Sequence, residues 1–489
     1  MLHTKEVIPG PGEPRKVFTA EDSKTPLEIG RTMILRQITS PGLAHNSYFL
    51  GSQGTATVID PRRDCEVFLD LAREHDMRIT HIFETHRNED YVIGSLELAA
   101  RCGAEIFHGH ETDFAFGNPV RDGDEFTIGS LRCRVMETPG HTMDHIAVAV
   151  TDTAVADTPF LVFTGDALFA GDVGRTDFFG RENRARVSGM LYDSIHEKIL
   201  PLGDGVIVCP AHGAGSVCGA EIADHEFSTV GYEKATNPLL KMDRQEFVEY
   251  KVAEHHYLPP YFRQMEQLNQ FGPPLRGHVP DLAPLEIGQV KNLMANGVQL
   301  LDIRSPTSFA AGHVPGSISI WREGLSAYAG YFLDYTVPVV LVDDFNLDLG
   351  DIAEFLFRMG YDNLEGYMAG GFPAWFKAGE RTDKFEAWTV QELSAVLGEK
   401  KELFLLDVRD IDNRNEVGYI PGSSHIYVGE LPDRTCEVPK DRLVVVYCDS
   451  GYKGSLGASI LRRLGYPSVV NLLGGMGAWI KAGYPAARK

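Results

Sequence analysis

The sequence predicts an α/β protein, a layered sandwich followed by two smaller domains with parallel sheets. Three observations predict it. The C-terminal part contains a duplication, each copy alternates short apolar strands with helical stretches, and the unit ahead of them is rich in short β runs separated by turns. At 489 residues the chain is too long for one hydrophobic core, and a typical domain length of ~150 residues gives about three domains.

Taken in order, residues 1–32 form a polar arm punctuated by Pro and Gly, without the apolar core of a secretory signal. Residues 33–256 form the larger unit. It opens with MILRQITS, SYFLGS and TATVIDP, continues with a helix at 65–74 and a strand at 79–84, and adds FTIGSLRCRVMETPG, HIAVAVTD and PFLVFTGD. Mixed β runs with interspersed helices predict the layered sandwich. Residues 257–284, with Pro259-Pro260 and Gly272-Pro273-Pro274, read as a linker. The two copies then occupy 285–384 and 385–489. Leu301-Asp302-Ile303-Arg304 and Gly312-His313-Val314-Pro315-Gly316 recur as Leu406-Asp407-Val408-Arg409 and Gly418-Tyr419-Ile420-Pro421-Gly422. Gly370-Gly371-Phe372-Pro373-Ala374-Trp375 recurs as Gly474-Gly475-Met476-Gly477-Ala478-Trp479. Strands at 339–342 and 443–447 alternate with helical stretches at 352–359 and 457–464. The period is a whole domain, too long for a short-repeat solenoid.

Composition excludes several classes. With 43% hydrophobic and 23% charged residues the chain is ordinary globular protein, not a disordered one. A formal charge of −22 argues against nucleic acid and against an anionic membrane surface as partners. No run of eighteen apolar residues is present to span a bilayer. The 7 cysteines are odd in number and never spaced CxxC, so they form neither a disulfide framework nor a Cys-rich zinc site. A reducing, cytoplasmic location is expected.

Four segments of the first unit each end a predicted strand with a potential metal ligand: Thr85-His86-Arg87-Asn88-Glu89-Asp90-Tyr91, Thr138-Pro139-Gly140-His141, Thr164-Gly165-Asp166 and Pro210-Ala211-His212-Gly213. Strand-end loops are where a sheet presents side chains to one shared site. One histidine in such a place is usually a satisfied polar residue. Four segments in this order carry more weight.

The order THxxxD, TPGH, TGD, PAH resembles the metallo-β-lactamase superfamily. Gly174-Arg175-Thr176-Asp177 and the run Leu191-Tyr192-Asp193-Ser194-Ile195-His196-Glu197-Lys198-Ile199 resemble its persulfide dioxygenase branch. The resemblance implies an αββα sandwich and one Fe(II) per chain bound by His86, His141 and Asp166. Hydrolases of the superfamily commonly hold two metals with HxHxDH, and here Asn88 and Tyr91 replace two of those histidines. Neither is a good zinc ligand, so the second metal loses its anchors. Two imidazoles and a carboxylate remain, a facial triad with open positions for O₂ and a substrate sulfur. Asp90 is expected to orient a neighbour by hydrogen bonding, and His212 to do the same or to add a ligand. Arg175 has a fork suited to a substrate carboxylate; an ion pair with Asp177 or Asp172 is the alternative. Tyr192 is a candidate for substrate contact or for packing. Cys218, in a glycine-rich loop after His212, is a candidate sulfur carrier or a buried small hydrophobe. Cys65, Cys102, Cys133, Cys209 and Cys436 read as structural.

In the second copy, Cys448 ends a strand and opens the loop Cys448-Asp449-Ser450-Gly451-Tyr452-Lys453-Gly454. Backbone N–H groups of a tight loop entering a helix stabilise a thiolate and make the thiol a nucleophile towards sulfane sulfur. The pattern Cys-x-x-Gly-x-Lys, between LDVR and GGxxAW, resembles the rhodanese family. It implies a Cys448 persulfide that passes its outer sulfur to an acceptor, with Lys453 where many relatives have Arg. Asp407 and Arg409 are expected to form a structural ion pair. Aligning the strands puts Asp344 of the first copy opposite Cys448, and a carboxylate forms no persulfide, so that copy is expected to be inactive.

Together these readings predict an enzyme that oxidises a low-molecular-weight thiol persulfide with O₂ to sulfite and free thiol, coupled to transfer of sulfane sulfur involving thiosulfate or sulfite. A homo-oligomer is expected. The alternatives are a zinc-dependent thioester hydrolase of the glyoxalase II type with a sulfurtransferase domain, and a non-catalytic sulfur-carrier scaffold.

Overall fold

Strands of the first unit are apolar on both faces, so both faces must be covered. Ile146–Asp152 is buried along its whole length: Ile146, Val148 and Val150 join one core cluster and Ala147 and Ala149 another. The computed structural model describes residues 26–27, 33–216, 219, 222–225 and 227–488. Apart from Pro26–Leu27, which pairs with Ile34–Ser40, the arm expected over 1–32 lies outside the described residues.

Two sheets form the sandwich. The first runs Pro26–Leu27, Ile34–Ser40, His45–Ser52, Thr55–Ile59, Arg78–Phe83, Glu105–Gly109, Asn118–Val120. It changes from antiparallel to parallel pairing after Thr55–Ile59. The second runs Ser228–Thr229, Ile207–Pro210, Leu161–Gly165, Ile146–Asp152, Leu131–Glu137, Glu125–Ile128. Tyr48, Leu50, Phe83 and Phe107 of the first sheet meet Val135, Val148 and Phe163 of the second in the central layer. Helices Glu66–Glu74 and Ser95–Cys102 cover the outer face of the first sheet through Phe68, Leu71 and Leu98. Arg184–Ser194 and its π-helical continuation Ile195–Ile199 cover the second through Leu191 and Ile195. This is an αββα sandwich, as the sequence predicts.

Both copies of the duplicated domain share one parallel topology. The first orders its strands Pro284–Leu285, Leu364–Met368, Val339–Val342, Gln299–Asp302, Ile318–Ser319; the second orders them Glu386–Trp388, Val469–Leu472, Leu443–Tyr447, Leu403–Asp407, Ser424–His425. Every pairing within them is parallel. Leu443–Tyr447, which leads to Cys448, is the central strand of its sheet.

The stretch read as a linker is more than a connection. It contains the helix Phe262–Phe271 with Phe262, Met265 and Asn269 buried. Its apolar face belongs to a core that also takes in Tyr91, Val92 and Ile93 of the metal unit, Leu301 and Phe355 of the first copy, and Val446 and Leu456 of the second. The amphipathic spacing of 262, 265 and 269 is visible in the sequence but was masked by the flanking prolines.

Ion pairs reinforce the seam between the metal unit and the first copy. Arg63, buried, donates Nη1 to Asp362 Oδ1 at 2.5 Å and Nη2 to Oδ2 at 3.1 Å. Arg358 donates Nε and Nη2 to Asp64 at 2.8 and 2.6 Å. Removing one partner of such a pair strands a charge away from water. Asp362→Ala is therefore expected to lower the unfolding free energy by about 3 kcal/mol, read as a drop in the urea midpoint. A wild-type midpoint would show that the seam does not depend on the pair.

Candidate metal centre and thiol loop

The loop after Arg78–Phe83 is organised by Asp60. Its carboxylate accepts the Thr85 backbone N–H at 2.7 Å and the Thr85 hydroxyl at 2.8 Å. With its hydrogen committed to Asp60, Thr85 Oγ1 accepts from His86 Nδ1 at 2.9 Å. His141 Nδ1 lies 3.0 Å from the Arg175 carbonyl oxygen, which only accepts. Both imidazoles are therefore fixed with the hydrogen on Nδ1 and the lone pair on Nε2. Those lone pairs converge on Asp166 Oδ2, at 3.7 Å from His86 Nε2 and 3.4 Å from His141 Nε2.

All three side chains are at most 1% exposed. His141 Nε2 and Asp166 Oδ2 have no hydrogen-bond partner. Three buried acceptor atoms facing one another without a hydrogen among them repel, and a cation between them removes that cost. The residues present fit a metal ion. Burial pushes the pKa of His86 and of His141 below the usual imidazole range, keeping both neutral as ligands must be. Burial opposes ionisation of Asp166, yet the adjoining His212 and His86 hold it well below the usual carboxylate range.

Glycine makes the Asp166 turn possible. Gly165 has φ +52°, and a Cβ there would lie 2.5 Å from His145 Nε2 and 2.7 Å from Thr85 Oγ1. At Gly174 a Cβ would lie 2.0 Å from the Asp166 carbonyl oxygen.

His212 bridges two carboxylates, with Nδ1 2.7 Å from Asp166 Oδ1 and Nε2 3.0 Å from Asp90 Oδ2. Burial works against its charge, but Asp166 and Asp90 outweigh burial and hold its pKa well above the usual value. Nδ1 is hydrogen-bonded to Asp166, while Nε2 lies at ion-pair distance from Asp90 without a hydrogen bond. Asn88 turns its amide to the His86 carbonyl at 3.2 Å. Tyr91 stacks on His45 with ring centroids 3.8 Å apart.

Three residues near the centre went unassigned in the sequence reading. His45 is buried behind Tyr91. His145 accepts the Asp166 backbone N–H at 3.0 Å through Nε2, and burial lowers its pKa to about 3. Glu89 forms with His86 and His141 a group whose potential ligand atoms all lie within 4.8 Å of one another. The THxxxD motif contains Glu89, but no spacing rule singles it out; His145, four residues after His141, was the more visible signal.

Arg175 closes its fork on Asp177, Nε to Oδ1 at 2.7 Å and Nη2 to Oδ2 at 2.8 Å, both buried. The guanidinium edge that would hold a substrate carboxylate is committed inside the protein, which corrects that expectation in favour of the ion pair. Tyr192 stacks on His196 at 3.9 Å and packs edge-on against Phe247. Cys218 lies outside the described residues. Cys65, Cys133 and Cys209 are buried, and burial raises their thiols to about 11, 12 and 12. Cys436 is exposed, contrary to the reading of it as structural.

Cys448 is fully buried at the end of Leu443–Tyr447. Its Sγ accepts the backbone N–H of Gly451 at 3.1 Å and of Gly454 at 3.4 Å. The helix that follows is Tyr452–Arg463, five residues longer at its start than expected, with Gly451 at φ +94° as its N-cap. The early start puts the first helical turn against the sulfur, where its N–H groups favour negative charge. Ser450 and Tyr452 are exposed. Lys453 Nζ lies 3.0 Å from Asp449 and 3.6 Å from Asp410, so its charge is answered locally. Asp407 and Arg409 form a buried two-point pair at 2.9 and 2.6 Å.

The first copy shows a different residue in the thiol position. Val342 pairs with Asp302 as Tyr447 pairs with Asp407, and the Asp343 carbonyl accepts from Phe372 N as the Cys448 carbonyl accepts from Met476 N. Asp343, not Asp344, stands opposite Cys448. The copies differ by one residue between this loop and the Gly-Gly helix start, so the alignment that puts Asp344 there is one residue out. The Asp343 carboxylate accepts from Asn346 N and Nδ2, each at 2.6 Å, and fills its own loop.

Comparison with known proteins agrees with this geometry. The metallo-beta-lactamase superfamily model matches residues 40–212, and the rhodanese-like domain model matches 286–378 and 389–482. Persulfide dioxygenase ETHE1, mitochondrial, of Bos taurus is 30% identical over 242 residues, which is 47% of this chain and 84% of that protein. Hydroxyacylglutathione hydrolase GloC of Haemophilus influenzae is 29% identical over 207 residues, 38% of this chain and 87% of that protein. The crystal structure of a metallo-beta-lactamase from Staphylococcus aureus subsp. aureus COL superposes with a TM-score of 0.61 at 29% identity, covering 70% of this chain and 99% of that one. With its two buried imidazoles and aspartate at strand ends and its duplicated parallel domains behind them, the chain belongs to the metallo-beta-lactamase superfamily, as a persulfide-dioxygenase-like domain fused to two rhodanese-like domains.

Proposed function

We propose that the chain is an enzyme of sulfur metabolism that oxidises a low-molecular-weight thiol persulfide with O₂ at a single ferrous ion. The overall change is RSSH + O₂ + H₂O giving RSH, sulfite and two protons. The observation that carries the reading is the donor set: two Nε2 lone pairs and one carboxylate oxygen converge, while Asn88 and Tyr91 stand where a second metal would need imidazoles. His86, His141 and Asp166 would hold the ion, which supplies the redox partner for O₂ when bound.

The surrounding residues prepare that position. Asp60 through Thr85 and the Arg175 carbonyl keep both imidazoles in the ligating tautomer. His212, bridging to Asp90, occupies Asp166 Oδ1 and leaves Oδ2 for the ion. Phe178 sits edge-on to His141 at 5.2 Å and beside Phe262 at 6.0 Å, giving an apolar wall that keeps water from a reactive sulfur.

The Cys448 thiolate would attack the outer sulfur of a thiol persulfide, breaking its S–S bond and releasing the free thiol, to become a persulfide held within the Gly451 and Gly454 N–H groups. Sulfite attacks the outer sulfur, forms the S–S bond of thiosulfate and leaves the Cys448 thiolate, which those same groups stabilise. Asp343 offers no such sulfur, so the first copy takes no part in transfer. The described cysteines are all free thiols, which fits a reducing cytoplasm. No helix among the described residues is long and apolar enough to cross a membrane.

A zinc-dependent thioester hydrolase is the competing reading, favoured by the similarity to the hydroxyacylglutathione hydrolase. Metal content decides. Protein loaded anaerobically is expected to hold about one iron per chain and to consume O₂ with glutathione or coenzyme A persulfide, and His86→Ala is expected to lose both. Two zinc ions per chain with thioester cleavage and no O₂ uptake would replace the dioxygenase reading.

Thr85→Val removes the hydroxyl between His86 and Asp60 and is expected to weaken metal affinity by roughly 10–100-fold, measured by competition with a chelator. Unchanged affinity would show that the hydroxyl does not orient His86.

Cys448→Ser is expected to keep O₂ uptake but to release sulfite in place of thiosulfate. Undiminished thiosulfate would separate the two sites.

A further inference from the structure

Glu89 is an acidic residue in a loop, a place where side chains ordinarily face water, yet it is only 1% exposed. Its carboxylate is half satisfied. Oε1 accepts from Arg87 Nη2 at 3.1 Å, and Oε2 has no hydrogen-bond partner. Arg87 does not serve Glu89 alone, since the same Nη2 lies 3.2 Å from Glu266. A buried carboxylate oxygen left without a partner is costly unless a cation completes it.

The loop is held rather than free to turn outward. Asn269, fully buried on the helix Phe262–Phe271, donates its amide to the Asn88 carbonyl at 2.6 Å and the Tyr91 carbonyl at 2.8 Å, and accepts from Ile93 N at 3.0 Å. These bonds clamp the chain on both sides of Glu89. A carboxylate oxygen of Glu89 lies within 4.8 Å of a ring nitrogen of both His86 and His141. That is the scale of the spacing between donors sharing one ion, whose bonds are ~2.0–2.2 Å.

We propose that Glu89 is a fourth protein donor to the metal, so that the centre is a two-histidine, two-carboxylate site. The inference rests on the reading of His86, His141 and Asp166 as ligands and extends it. A second carboxylate cancels the remaining charge of a divalent ion and leaves two open positions in an octahedral site instead of three, enough for O₂ and one sulfur.

Anaerobic titration of the metal-free full chain with Co(II), followed by its visible absorption, tests this without any turnover. Glu89→Gln keeps the size of the side chain and an acceptor for Arg87. It is expected to raise the Co(II) dissociation constant at least about tenfold and to change the absorption spectrum. Glu89→Asp, which keeps the charge but is shorter by one methylene, is expected to weaken binding as well. Glu89→Gln with wild-type affinity and spectrum, while His86→Ala loses Co(II), would overturn the fourth donor and leave the three-residue site standing. Wild-type binding by His86→Ala would overturn both.

Discussion

His86 and His141 are held from behind, each through Nδ1, by groups that can only accept: a threonine hydroxyl whose hydrogen already belongs to Asp60, and the backbone carbonyl of Arg175. This fixes where the imidazole hydrogens are, and everything else at the centre follows from it. With the hydrogens behind, both front nitrogens present lone pairs to Asp166 Oδ2. Burial that would otherwise be a penalty then becomes part of the binding energy for a cation, because the same desolvation that keeps the imidazoles neutral also excludes competing water. The parallel strand ends matter for the same reason. They deliver Asp60, Thr85 and His86 from neighbouring strands of one sheet and Asp166 and His212 from neighbouring strands of the other, so the site closes where the two sheets meet.

The second consequence is mechanical. Arg175, whose carbonyl anchors His141, reaches with its guanidinium towards the Tyr257 carbonyl at 3.5 Å. Tyr257 stacks on Tyr427 at 3.8 Å, and its hydroxyl accepts from Ile411 N at 3.3 Å, both in the Cys448 domain. Asn269 of the intervening helix pins the other side of the metal loop. Two of the metal-site loops are thus braced by residues outside the sandwich, one directly and one through the Arg175–Tyr257 contact. The metal unit and the sulfur-transfer unit share a core, and the segment between them is part of the site's frame.

The sequence made much of this legible, for a physical reason. Ligands at strand ends sit beside glycines and prolines that the turns require, so Thr-Pro-Gly-His and Thr-Gly-Asp announce themselves; the duplicated Leu-Asp-x-Arg and Gly-Gly-x-x-Ala-Trp segments do the same for the C-terminal domains. What stayed hidden depends on tertiary distance. Nothing local says that His45 lies behind Tyr91 or that Glu89 turns inward. The helix Phe262–Phe271 was hidden differently, its apolar spacing bracketed by prolines that read as a connection. Asp343 was missed by one position because the register of its strand is set by pairing with Asp302, which the sequence does not show.

The first copy illustrates how a domain can lose its reactive group and keep its fold. Asp343 does for its own loop something like what the sulfur does in the second copy: its carboxylate accepts from the Asn346 backbone and side-chain N–H groups. Asn346 N stands where Gly451 N does, and the Asn346 side-chain amide, rather than a counterpart of Gly454 N, is the second donor to the carboxylate. Meanwhile the rest of the copy forms part of the wall of its partner. Ser319 Oγ lies 3.3 Å from Ser455 Oγ, and Trp321 packs edge-on against Tyr452, the residue that opens the helix after Cys448. Through Arg63 and Arg358 the opposite side is tied to the metal unit. A domain so placed is under packing constraint on two sides regardless of whether it carries chemistry. Its sheet, its buried Asp302–Arg304 pair and its core all serve that packing, whatever residue stands in the loop.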